Sequence, residues 1–227
     1  LNLKVSLYPE HFYVFGINVG LSVVIAWAVM AVLILALIAI RIFVISKFQK
    51  NPKGFQNVLE MTVEGIYSFA KNKVGHDAAK YVAPIAMTFM TYIFFTTFVE
   101  LFGLPPATED LNCTIAMGLC SFFTVNIVGI KCAGLKGRLK NLANPKAIVA
   151  PIRILTDCIA PFSMGIRLFA NVLVGGVIMQ LIYAVLPILL PAAVASYFNV
   201  LHVGIQTFVF GLLFLTYVSE AVGEVAE

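Results

Sequence analysis

Long apolar runs recur along this chain, and its charged residues collect between them. Ile17–Ile40 is interrupted only by Asn18 and Ser22 near its start, and it closes on Arg41 and Lys47. Tyr81–Leu104, rich in Phe and Thr, and Leu111–Ile130 are two further runs. At ~1.5 Å per residue, about twenty helical residues cross a hydrocarbon core of ~30 Å. Each run therefore predicts a membrane-spanning helix, whereas a β-barrel would read as short alternating segments. Leu1–Gly16 forms a polar-aromatic lead with Tyr8, His11, Phe12 and Tyr13, residue types that favour a membrane interface.

Between Lys47 and Lys80 the pattern changes. Phe55, Val58, Leu59, Thr62, Ile66 and Phe69 recur at helical spacing among Glu60, Glu64 and Lys71. That stripe predicts an amphipathic helix lying along the membrane surface. The last third differs again. From Pro151 to Pro187 only Pro161 interrupts the helical pattern, and from Ala192 to Glu227 there is no proline. Each stretch would reach ~50 Å as a helix, well beyond the core. Their apolar composition predicts steep tilt, with Pro187–Pro191 as the hairpin between them.

The expected architecture is all-α and polytopic: three ordinary spans, a cytoplasmic amphipathic helix and a C-terminal pair of long, strongly tilted helices. It divides one membrane domain, 1–227, into an outer N-terminus with the first helix (1–47), the amphipathic segment (48–80), a helical hairpin (81–130), a basic loop (131–150) and the tilted pair (151–227). Nearly all Lys and Arg lie in the two basic segments, and the Pro105–Asp110 turn holds none. The positive-inside rule then places both basic loops and the C-terminus in the cytoplasm and the N-terminus outside.

Composition agrees with this pattern. Sixty-one per cent of residues are apolar and 11% charged, with a mean hydropathy of +0.98. The net charge of +4 sits in membrane-flanking loops and gives no nucleic-acid signal. Cys113, Cys120, Cys132 and Cys158 lack metal-ligand spacing and read as small buried hydrophobes. The first apolar run is too long for a cleavable signal peptide. No nucleophile–base pairing, phosphate-binding glycine loop or metal cage is apparent, so no catalytic residue, cofactor or metal is expected.

The isolated polar residues carry the chemistry. Arg167 is the only charged residue between Asp157 and Glu220. An arginine at the centre of a membrane helix costs ~2.5–3.5 kcal/mol on insertion scales, so its charge must be used. Asn171 shares its helical face, and Ala170, Gly175 and Gly176 let another helix approach closely. On the final helix Asn199, His202 and Gln206 share a face to which Glu220 returns. An intramembrane carboxylate is a functional candidate, whereas His202 also suits a plain helix contact. Glu100 and Asp110 bracket the outer turn, where Asp110 fits either helix capping or an aqueous vestibule. Glu224 and Glu227 read as solvated ends.

Arg167-Leu168-Phe169-Ala170-Asn171 resembles the R-L-F-G-N signature of subunit a of F-type ATP synthases, with Ala170 in place of the usual glycine. Gln206, Phe208, Phe210, Tyr217 and Glu220 look like that family's last helix in its chloroplast and bacterial versions. Asp110-Leu111-Asn112-Cys113-Thr114 is similar to its D-x-N-x-T helix start. The resemblance implies an ion-conducting, non-catalytic stator subunit beside a rotating ring of c subunits, with peripheral-stalk b subunits and other synthase subunits as partners. Two offset half-channels would serve opposite sides of the membrane. Arg167 would separate them and draw each c-ring carboxylate out of its closed state, with Gln206 hydrogen bonding to the arginine. Nine residues after the arginine, where many members carry Glu or His, stands Gly176; seven before the glutamine stands Asn199. Glu220, as the main buried acid, with His202, Glu100 and Asp110, is then expected to line the aqueous paths. A secondary transporter with a buried Arg site is the alternative, but the internal repeats of such proteins are missing. A purely structural anchor leaves the cost of the arginine unexplained.

Overall fold

The structure is a computed structural model that describes residues 11–14, 17–48, 54–102, 104–143, 150–185 and 189–223. Strands β1 (His11–Val14) and β2 (Ile17–Gly20) pair antiparallel and lead into helix α1 (Leu21–Ala39). Ile17–Gly20 is therefore strand where the apolar run predicts helix. Ile17 and Val19 are β-branched, and Phe12 and Tyr13 on the paired strand are aromatic, residue types that favour extended backbone. A π-helical turn over Ile40–Val44 and a short 3-10 turn over Ile45–Lys47 extend α1. Then come α2 (Phe55–Val74), α3 (His76–Phe98), α4 (Leu111–Ala143), α5 (Ala150–Val185) and α6 (Leu189–Val222).

Five helices among the described residues are long and apolar enough to cross a membrane: 21–43, 76–98, 111–134, 155–178 and 200–222. The second begins at His76 rather than Tyr81, because Gly75 adopts φ 85° and turns α2 directly into α3. α4 runs into the basic segment as far as Ala143, bending at Gly134, whose φ is 71°. The turn expected over Pro187–Pro191 falls partly outside the described residues; Pro191 itself belongs to the first turn of α6. At 36 and 34 residues, α5 and α6 extend ~54 and ~51 Å.

The core is where α2, α3, α4, α5 and α6 meet. Ala70, Val74, Ala79, Val82 and Ala86 close the α2–α3 hairpin with side chains small enough for close approach. Phe89 on α3 contacts the rings of both Phe210 and Phe214 on α6. Gly165 on α5 lies against α4 so closely that a Cβ there would stand 2.8 Å from the Thr114 carbonyl oxygen. Hydroxyl groups along the spans return their protons to the preceding turn, as Ser121 does to Met117 O (3.0 Å) and Thr207 to Val203 O (2.8 Å). In a medium without water this satisfies the donor within the helix.

The cysteines differ from expectation. Cys113 is half-buried, while Cys120, Cys132 and Cys158 are exposed thiols. A thiol behaves as a small hydrophobe, so a surface that faces lipid or partner helices accommodates it as well as a core.

Candidate ion-translocation site

α5 carries Arg167 on a face that the other described residues leave open. Its packed stripe is Ala160, Met164, Leu168 and Val172, all buried at four-residue spacing. Phe162, Ser163, Ile166, Arg167 and Asn171 lie off that stripe and are exposed. A guanidinium stays protonated at physiological pH. On a face it shares with the exposed Phe162 and Ile166, it cannot rest against acyl chains without the cost given above. This face must meet water or an acidic partner.

One turn beyond the arginine, Asn171 Nδ2 donates to Gln206 Oε1 at 2.5 Å, joining α5 to α6. Gln206 is 3% exposed, so this bond satisfies a buried amide oxygen. The partner of Gln206 is thus Asn171 and not the arginine. Tyr217 lies eleven residues after Gln206, about three turns, on the same face of α6.

Glu220 is exposed in the last turn of α6, which corrects the expectation of a buried acid. The helix ends at Val222, and the side chain projects past the packed Val218 and Ala221. His202, one turn before Gln206, is half-buried. Asn199 belongs to α6, and its side chain lies outside the described residues.

Glu100 and Asp110 stand apart, at the acidic turn. Burial, and then the charge of Glu109, push the Glu100 carboxyl above its usual range. Burial does the same to Glu109. Asp110 acts as a cap: its Oδ1 accepts the Asn112 backbone N–H at 2.9 Å, at the start of α4. A Cβ added at Gly176 would meet nothing within 4 Å.

The sequence reading missed a group between α4, α5 and α6. Ser121, Asn126, Asp157 and Tyr217, with Ala160 and Met164, line a cavity of about 20 Å³. The signal was present, since Asp157 continues the buried stripe of Ala160, Met164 and Leu168 at i, i+3, i+7 and i+11.

The family model described as ATP synthase A chain matches residues 23–219. The chain belongs to this family. It is 29% identical over 214 residues to "ATP synthase subunit a" of Moorella thermoacetica, covering 94% of this chain and 95% of that protein. It is 28% identical to "ATP synthase subunit a 2" of Picosynechococcus, covering 89% and 86%, and to "ATP synthase subunit a 2" of Bradyrhizobium, covering 95% and 95%. With five long apolar helices, this ATP synthase A chain family member is an integral, multi-pass membrane protein. Family membership implies proton translocation in the membrane sector, working with other ATP synthase subunits.

Proposed function

We propose that this chain conducts protons along two half-channels at its interface with a rotating c-ring, and that Arg167 is the fixed charge between them. The observation that carries the reading is an exposed arginine on an apolar face of α5, beside the Asn171–Gln206 bond. A ring carboxylate arriving at that face loses its proton more readily beside a guanidinium, because a near cation favours the ionised form. The arginine itself keeps its protons and so relays none across. Asn171 and Gln206 hold the two helices in register around it. His202 and Glu220 lie along the α6 side of the path, and Glu100 and Asp110 stand at its outer mouth. The basic loops and C-terminus lie in the cytoplasm of a bacterial cell, with b subunits bracing the bundle.

The test is Arg167→Ala in the assembled synthase, reconstituted in proteoliposomes. ATP-driven acidification is expected to vanish while ATP hydrolysis by the soluble sector persists. Coupled pumping that survives the substitution would sink the proposal.

A further inference from the structure

Threonine hydroxyls along the spans donate to the preceding turn: Thr88, Thr96, Thr124 and Thr216 each reach the carbonyl four residues earlier, at 2.7 to 2.9 Å. Three buried hydroxyls have no such outlet. Ser22, Thr97 and Thr108 are at most 1% exposed, and their oxygens have no hydrogen-bond partner among the described residues. Each has a local reason. Ser22 stands in the first turn of α1, directly behind a strand, so no helical carbonyl lies four residues before it. Thr108 belongs to the three-residue turn Ala107–Glu109, which is too short to offer one. Thr97 follows Thr96, whose hydroxyl also takes the carbonyl of Ile93, at 3.1 Å, that Thr97 would use.

The acidic turn brings these hydroxyls to one end of the bundle. Ala107–Glu109 packs against α1, α3, α4 and α5, and Ala107 and Thr108 are its buried residues. Ser22 and Ala26, one turn apart, are the buried residues of α1. They form the side of α1 that meets α3 and the acidic turn. Thr97 stands in the last turn of α3, on the buried line of Ile93. Glu100, three residues on, shares that side and is half-buried, while Glu109 is exposed. The polar groups therefore run from an exposed carboxylate inward to hydroxyls shut away from solvent. Their inner end lies beside α5, since Thr114, in the first turn of α4, sets its carbonyl against Gly165, two residues before Arg167.

A hydroxyl has one proton to donate and two lone pairs to accept with. A cation would serve only the lone pairs and an anion only the protons, whereas water serves both. Buried water of this kind is held by two to four polar groups. The geometry points to an internal hydration site behind the acidic turn, where water bridges Ser22, Thr97 and Thr108 and carries protons between Glu100 and the Arg167 region of α5. This rests on the half-channel reading above. In each transfer one O–H bond forms as the neighbouring one breaks, and the excess proton moves on along water and hydroxyl oxygens. Charge and atoms balance with no other reactant. Burial, and then the charge of Glu109, hold the Glu100 carboxyl above its usual range. It therefore keeps a proton to deliver at a pH where an ordinary carboxyl has lost it.

The test uses the assembled synthase in proteoliposomes, with Thr97→Val, Thr108→Val, the two together, Thr97→Ser, Thr108→Ser and Arg167→Ala side by side. Valine keeps the shape and removes the hydroxyl; serine keeps the hydroxyl. The valine pair is expected to lower ATP-driven proton pumping several-fold, and both serine variants to retain most of it. In detergent each valine variant should melt below the parent, because the bridging water loses a bond, and the pair should lose less than the sum. Higher melting in the valine variants would overturn the site, since removing an unpaired buried hydroxyl stabilises. Unchanged pumping in the valine pair, or equal losses with serine, would overturn the proton path. Melting of the parent that rises in NaCl over choline chloride, and no longer does so in the valine pair, would also overturn it, by making the hydroxyls a cation site. If Arg167→Ala pumps normally, the half-channel reading fails instead, whatever the hydroxyls do.

Discussion

Asn171 and Gln206, thirty-five residues apart, share a single hydrogen bond that joins the arginine-bearing helix to the last one. Gln206 is almost fully buried, so its amide oxygen has no solvent to turn to if Asn171 is lost. Asn171→Ala is expected to cost about 1–3 kcal/mol, the penalty for stranding a buried polar group. Gln206→Leu should cost similar or less, since Asn171 is exposed. The double variant should cost less than the sum. Thermal unfolding of the detergent-solubilised complex, read as a double-mutant cycle, checks this.

Two glycines should respond in opposite ways. At Gly165 a Cβ would press on the Thr114 carbonyl and the Ile115 Cα, both backbone atoms that cannot swing aside. Gly165→Ala is expected to destabilise by about 1–3 kcal/mol, as overpacking does, and to reduce pumping by displacing Arg167. Gly176 faces open space, so Gly176→Glu should leave assembly intact. Yield and melting temperature of the two purified variants distinguish them.

The acidic turn should make stability depend on pH. Glu100 has its pKa raised by burial and then by Glu109. A carboxyl raised in the folded state favours folding at low pH and loses that contribution as pH rises through its folded value. Glu100→Gln removes the charged form. It is expected to melt higher than the parent at pH 7, with the difference disappearing below about pH 4, where carboxylates are protonated even when unfolded. Glu109→Gln should give a smaller shift in the same direction. Melting curves at pH 4 and 7 test the sign.

Arg167→Lys keeps a positive charge but exchanges a planar fork for an ammonium that can lose its proton in a desolvated site. Pumping is expected to fall by about tenfold or more, and further at alkaline pH, since deprotonation removes the charge. A pH series of ATP-driven acidification reads it out.

The spans were legible because apolar length alone sets them, and Arg167 because its charge is isolated in such a run. The start of α3 at His76 was not legible: it depends on Gly75 taking a left-handed φ, which composition does not dictate. The hairpin at His11–Gly20 was hidden because β-branched and aromatic residues suit a strand and an apolar span alike. Periodicity puts Glu220 on the face of α6 that carries Gln206, but periodicity has no view of where the helix ends and what covers it. Asp157 was overlooked as the boundary of an apolar stretch, although its register with Met164 and Leu168 put it in the packed stripe. The Asn171–Gln206 bond pairs residues on different helices, and one-dimensional spacing on either helix contains no information about the other.

The contact of Gly165 with α4 also has a mechanical consequence. It lies two residues before Arg167 and sets backbone against backbone, the stiffest junction available between two helices. On the proposed reading, a ring that pulls on the guanidinium also pulls on α5, and the load passes into α4 without a soft side chain to absorb it. On that reading the charge stays at one depth while its partners move past.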